Sequence, residues 1–231
     1  MRTIVFAREQ LRARFTLVLL VAIPALFVVS AAGVLADFAG ALGGSLAGDA
    51  AVALSAGWAA AFVSGTLGFF QAASSRGADR RLVLAGLGPV RVARSRIAAS
   101  VLLAVVAAAA AFAALQARAG VAHPLHASVA VLGFALLYLA IGVLVGSVVT
   151  APLEGSLLVV FVFLLDVFAG PGMTGGSAPP WAVSQTAADI LIAAGSGAGS
   201  PTRDWIELGL VTAAALAAAF AVFVISARNR A

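Results

Sequence analysis

Six runs of 17 to 23 residues, nearly free of charge, divide the chain: about 15–35, 51–73, 97–117, 127–149, 153–169 and 205–227. At about 1.5 Å of rise per residue, helices of this length match a hydrocarbon core roughly 30 Å thick. Within hydrocarbon each backbone N–H and C=O must be satisfied inside the segment, so an apolar run that crosses the bilayer folds as a helix. The expectation is an all-α, polytopic membrane protein with six transmembrane helices, a single transmembrane domain over 1–231. Composition agrees, with 63% hydrophobic and 10% charged residues, against about 45–50% and about 25% in soluble domains.

The first run follows MRTIVFAREQLRAR, where Arg2, Arg8, Arg12 and Arg14 alternate with Ile4, Leu11 and Phe15 at helical spacing. That pattern predicts an interfacial helix over 1–14 lying on the membrane. The run it leads into, Phe15–Leu35, exceeds the roughly 7–15 residues of a signal-peptide core, so it reads as an uncleaved span. Pro24 inside it predicts a kink.

Arginine carries all of the basic charge, and its placement predicts orientation. The N-terminal segment, the loop between spans 2 and 3 and the C-terminus hold twelve of the 14 arginines, leaving Arg118 and Arg203 on the other side. The positive-inside rule then places both termini in the cytoplasm of a cell with this chain in its inner (plasma) membrane. The same rule accounts for the net charge of +5 without nucleic acid. Residues 170–204 become the long extracellular segment. Its Gly- and Pro-rich start and end enclose a mildly amphipathic piece, Val183–Ala194, expected as a short helix on or dipping into the outer interface, with Trp181 as an anchor.

Several chemistries are excluded by what the chain lacks. It has no Cys, hence no disulfide, thiolate metal site or thiol nucleophile, and no Lys, hence no Walker A lysine and no Schiff base. An intramembrane serine protease would need a Gly-x-Ser-Gly turn, and Phe62-Val63-Ser64-Gly65 lacks the leading Gly. An intramembrane aspartyl protease needs two acids, and Asp166 is alone near the end of span 5. Asp166 is a candidate pathway residue because an acid within a span is costly to keep there. Phe161 is a second pathway candidate, with Phe69, Phe70, Phe163 and Phe168 as further aromatic lining or packing. Glu154, just after Pro152, suits the first turn of span 5. His123 and His126 flank Pro124, too few ligands for a metal site. Gly142 and Gly146 form a Gly-x-x-x-Gly pair for close helix packing, within the subunit or between two copies.

The stretch with most specific content is Ser74–Arg96, SSRGADRRLVLAGLGPVRVARSR, with six arginines. Within it Asp79–Leu87 is amphipathic and Gly88-Pro89 is expected to stop it. Its bland alternative is a stop-transfer loop held to anionic lipid. Asp79, Leu82, Leu84, Leu87, Pro89 and Arg91, together with the six-span layout, resemble the permeases of the ABC-2 type exporter family. That resemblance implies that 75–96 is a cytoplasmic coupling loop whose helix, with Asp79, Arg80, Arg81, Leu82, Leu84 and Leu87, docks on a separate ATPase. It further implies two ATPase copies that bind ATP and Mg, a second permease copy or homologue, and short outer helices between spans 5 and 6. The expected cargo is an apolar or amphipathic small molecule or lipid-like compound moved outward. No cofactor is expected in this chain, nor an enzymatic activity of its own. The competing class is a non-catalytic membrane scaffold or regulatory subunit, which would share the topology but show no nucleotide-linked behaviour.

Overall fold

The computed structural model describes residues 14–46, 48–174, 179 and 182–229. The predicted interfacial helix over 1–14 lies outside these residues except for its last position, and so does Trp181. Among these residues eight helices follow in order: α1 (Arg14–Ala41), α2 (Gly48–Ser74), α3 (Arg76–Leu84), α4 (Pro89–Arg118), α5 (Pro124–Val148), α6 (Pro152–Ala169), α7 (Gln185–Ser196) and α8 (Thr202–Asn229). Six of them, all but α3 and α7, are long and apolar enough to cross a bilayer. The protein is all-α and polytopic.

Two parallel helices, α2 and α5, make the centre of the bundle, and their pairing follows from where glycine falls. Lipid is as apolar as the side chains, so spans associate through close packing instead of hydrophobic transfer. A Cβ on Gly142 would overlap the Gly65 carbonyl oxygen, one on Gly146 would lie 2.6 Å from the Phe69 carbonyl oxygen, and one on Gly68 would lie 2.6 Å from that of Leu139. Gly57 opens the hollow that the Phe134 ring fills, with a Cβ there 2.6 Å from the ring's Cδ2. The Gly142–Gly146 pair therefore packs within the subunit. Trp58, Phe69, Phe134 and Tyr138 are fully buried along this seam.

The other spans wrap the pair, and their outward faces carry exposed apolar residues such as Leu26, Leu157 and Leu210. Helix α1 continues to Ala41, six residues beyond its predicted end, and Pro24 sits inside it without ending it. Proline removes one backbone donor from the helix. One turn later the Arg118 guanidinium donates to the Val28 and Val29 carbonyls, bracing α1 against α4.

Helices α6 and α7 divide one wall between them. With 18 residues, α6 is about 27 Å long, and α7, with 12, is about 18 Å. The start of α7 lies beside α6, where the Ser184 N–H donates to Asp166 Oδ1 at 3.3 Å. Its other end lies at the start of α5, where the His123 N–H donates to the Ala194 carbonyl at 3.1 Å. Helix α7 thus enters the bundle against α2 and α5, with Ala187, Ala188, Ile190 and Leu191 fully buried. It dips into the protein and does not lie flat on the surface. The chain between α6 and α7 is pinned to the α1–α2 turn, since the Ser45 and Leu46 N–H groups both donate to the Gly172 carbonyl at 2.9 Å.

Candidate functional site: the arginine-rich elbow

At one end of the bundle, the 23-residue Arg-rich stretch folds as α3, a tight turn and the first turns of α4. Helix α3 starts at Arg76, three residues earlier than its amphipathic pattern suggests, because Ser75 and Asp79 make one unit. The Ser75 hydroxyl donates to Asp79 Oδ2 at 2.7 Å, and the Asp79 N–H bonds the Ser75 carbonyl at 2.8 Å. The helix ends at Leu84, not at Gly88-Pro89. Gly86 takes φ +86°, its N–H bonds the Val83 carbonyl at 3.0 Å, and the Leu87 N–H bonds the Leu82 carbonyl at 3.0 Å. That paired closure through a left-handed glycine satisfies the last carbonyls of α3. Pro89 instead occupies the first turn of α4, where its missing N–H costs nothing.

Two faces of α3 have different chemistry. Arg76, Asp79 and Val83, at helical spacing, turn towards the protein. Asp79 is 4% exposed and accepts a charge-assisted bond from Arg96 Nε of α4 at 3.0 Å. Arg96 continues inward, since the Ser100 hydroxyl bonds the Arg96 carbonyl at 3.1 Å and Gln71 Oε1 of α2 at 3.0 Å. The Arg76 guanidinium donates to the Gly146 and Val149 carbonyls. These belong to the last turn of α5, where carbonyls lack intrahelical partners and the helix dipole is negative. Helix α3 is thereby fastened to α4 and α5, and through Ser100 to α2.

The opposite face, Gly77, Arg80, Arg81 and Leu84, at positions i, i+3, i+4 and i+7, is exposed, with Leu84 at 63%. Of the six residues expected to dock a partner, the structure thus gathers Arg80, Arg81 and Leu84 on one outward face. It turns Asp79 inward, leaves Leu82 half-buried, and places Leu87 in the turn beyond the helix. Sequence reasoning missed Ser75, Arg76 and Arg96 as the fastening residues. The available signal was an acid with a hydroxyl four positions before it and an arginine at the foot of the next span.

A second polar cluster lies deep in the bundle. Asp166 is 3% exposed and accepts from the Tyr138 hydroxyl at 2.8 Å as well as from the Ser184 N–H. Tyr138 stands 10 residues, or about 15 Å, from the end of α5, which puts the cluster near mid-depth. The Phe163 ring meets Tyr138 edge-on at 5.9 Å and Phe62 at 5.3 Å, sealing the cluster on one side. Phe161 is not brought to it, being 58% exposed on the outer face of α6. Phe70 is likewise exposed, whereas Phe69 is in the core. Tyr138 is the only tyrosine of the chain, and that singularity inside a span was the unused signal for a partner to Asp166.

Other candidates have local roles. Pro152 and Glu154 stand in the first turn of α6. His123 and His126 stack at 5.4 Å, with Trp205 5.0 Å from His126. Among the described residues no three His, Cys, Asp or Glu side chains converge on a metal site. Asp189, on α7 and outside the six spans, has its carboxyl pushed above the usual carboxylate range, first by partial burial and then by the like charge of Asp204. No protein-family model, curated protein or solved structure matches the chain.

Proposed function

We propose that this chain is the permease subunit of an ATP-driven exporter, with a separate ATPase docking on the outward face of α3. One observation carries the reading. A short helix with an exposed Arg80–Arg81–Leu84 face is fastened on its other side to two spans, α5 by Arg76 and α4 by the Asp79–Arg96 pair. A helix built only to stop translocation needs its charge but not this fastening. Held so, α3 moves only if α4 and α5 move with it, which is what a transmission element requires. In this reading the Arg-rich end faces the cytoplasm, ATP and Mg bind to two copies of the partner, and the permease acts as a pair. ATP binding supplies the differential free energy, and the bundle is the bistable element. The scarcity of buried charge favours an apolar or amphipathic small molecule or lipid-like cargo.

The test is purification of the complex from its own host in mild detergent, with co-purifying proteins identified, for wild type and Leu84→Asp. The expected result is a stoichiometric Walker-type ATPase with wild type and its loss with Leu84→Asp, both chains remaining membrane-inserted. Reproducible absence of an ATPase from the wild-type preparation overturns the reading and leaves the scaffold class.

A further inference from the structure

The fold sorts the six arginines of the elbow into two groups. Arg76 and Arg96 point inward, while Arg80 and Arg81 of α3 and Arg91 and Arg94 of α4 are exposed. Arg91 and Arg94 are paired with no acid among the described residues. They line, with Ser95 and Ala98, a recess of about 580 Å³ at the foot of α4, bordered on the turn side by Gly86 and Gly88. A Cβ on either glycine would meet nothing within 4 Å, so this side of the recess is open.

Arg91, Arg94, Ser95 and Ala98 stand at i, i+3, i+4 and i+7, one face of α4. The same face continues up the span as Leu102 and Val105, 48% and 40% exposed. Two guanidinium groups with no acid paired to them among the described residues therefore sit at the level where the apolar span begins, and an exposed apolar track runs on from them into the hydrocarbon. An amphiphile with an anionic head and an acyl tail matches both halves in that order. The guanidinium fork matches phosphate oxygens two at a time, which an ammonium does not. We propose that this face is a binding site for an anionic phospholipid of the adjacent leaflet. Its phosphate sits between Arg91 and Arg94, and an acyl chain lies along Ala98, Leu102 and Val105. The site is independent of the ATPase reading, since α3 presents a different pair of arginines.

The test uses the full chain in detergent, titrated with dioleoyl phosphatidylglycerol or dioleoyl phosphatidylcholine and read by native mass spectrometry. Wild type is expected to retain phosphatidylglycerol selectively. Arg91→Gln with Arg94→Gln should weaken it about 25-fold, taking about fivefold per arginine near a membrane surface. Ala98→Phe, which fills the recess without altering charge, should weaken it too, and Arg80→Gln with Arg81→Gln should leave it unchanged. Unaltered melting temperatures in phosphatidylcholine show that the variants fold. Equal binding of the two lipids overturns the proposal. Equal losses in both double variants also overturn it, because they mean diffuse attraction. Binding of sn-glycerol 3-phosphate as tight as that of the lipid overturns it in favour of a free-phosphate site.

Discussion

The Tyr138 hydroxyl donates to the Asp166 carboxylate at 2.8 Å, joining α5 to α6 at the depth where α7 begins. The acid also holds the Ser184 N–H, so a single buried group ties three helices. Removing one partner of a buried acceptor costs roughly 1–3 kcal/mol. Tyr138→Phe should lower stability by about that amount. Asp166→Ala should in addition speed amide exchange at the start of α7. Thermal unfolding in detergent and hydrogen exchange by mass spectrometry measure the two effects, and unchanged exchange at Ser184 would remove the tie.

The glycine seam gives a steric prediction. Gly142→Val forces a side chain into the Gly65 backbone, which cannot yield as a flexible side chain does. Overpacking costs typically 1–3 kcal/mol, and a backbone clash stands at or above the top of that range, about 3 kcal/mol. Gly33→Ala on α1, where a Cβ meets nothing within 4 Å, should be neutral or stabilising. Folded yield by fluorescence-detected chromatography compares the two.

The ion pair of the elbow predicts non-additivity. Asp79→Ala leaves Arg96 without this partner in a largely buried place, and such losses cost about 3–5 kcal/mol, here towards the lower figure because Arg96 keeps 16% exposure. The double variant Asp79→Leu with Arg96→Met should recover most of that loss, since buried ion pairs are often replaceable by apolar residues of similar volume. A double-mutant cycle on unfolding free energies reads the coupling. A loss in the double variant equal to the sum of those of Asp79→Leu and Arg96→Met alone would show that the pair itself carries no energy.

Asp189 gives a pH dependence whose sign is fixed. Its folded carboxyl titrates above the ordinary value, so the folded state holds its proton longer than the unfolded chain does. Its contribution is complete below the usual carboxylate range and is lost as pH rises through the folded value. Relative to wild type, Asp189→Asn should therefore gain melting temperature as pH is raised from about 4 to 7, spanning the usual carboxylate range of about 3.9 and above. A constant difference across that range would show that Asp189 is not the group responsible.

Orientation is read by cysteine labelling in a chain that has no native Cys. Ser196 ends α7 at one face and Arg81 stands on α3 at the other, and both are exposed. An impermeant maleimide applied to intact cells should label Ser196→Cys and spare Arg81→Cys. The opposite pattern would invert the assignment of the Arg-rich end to the cytoplasm.

The spans were legible because length and apolarity alone decide whether a helix can cross. What composition does not carry is which polar group meets which. Asp79 looked like the exposed start of a docking helix. Its inward turn depends on Arg96, 17 positions away on the next helix. Gly88-Pro89 looked like a helix stop, but Gly86 reaches the left-handed conformation first and closes α3 two residues sooner. Gly142 and Gly146 were visible as a motif. Their partners, Gly65 for Gly142 and Phe69 with Ala72 for Gly146, emerge only from the register of α2 on α5. The dip of α7 was half visible in its amphipathic pattern, while its depth is set by Asp166, which periodicity in residues 183–194 does not contain.

The division of one wall between α6 and α7 has a mechanical consequence. A helix packed closely along its whole length, as in the Gly-lined α2–α5 pair, yields only by tilting or bending together with its partner. Helices α6 and α7 are joined at Asp166 and Ser184, so the two parts of that wall deform separately. One part is built on α6, anchored near the elbow by the turn from α5, and the other on α7, anchored at the far face by His123. The bundle thus has a rigid spine and a jointed side, and the Asp166 carboxylate is the pin of the joint.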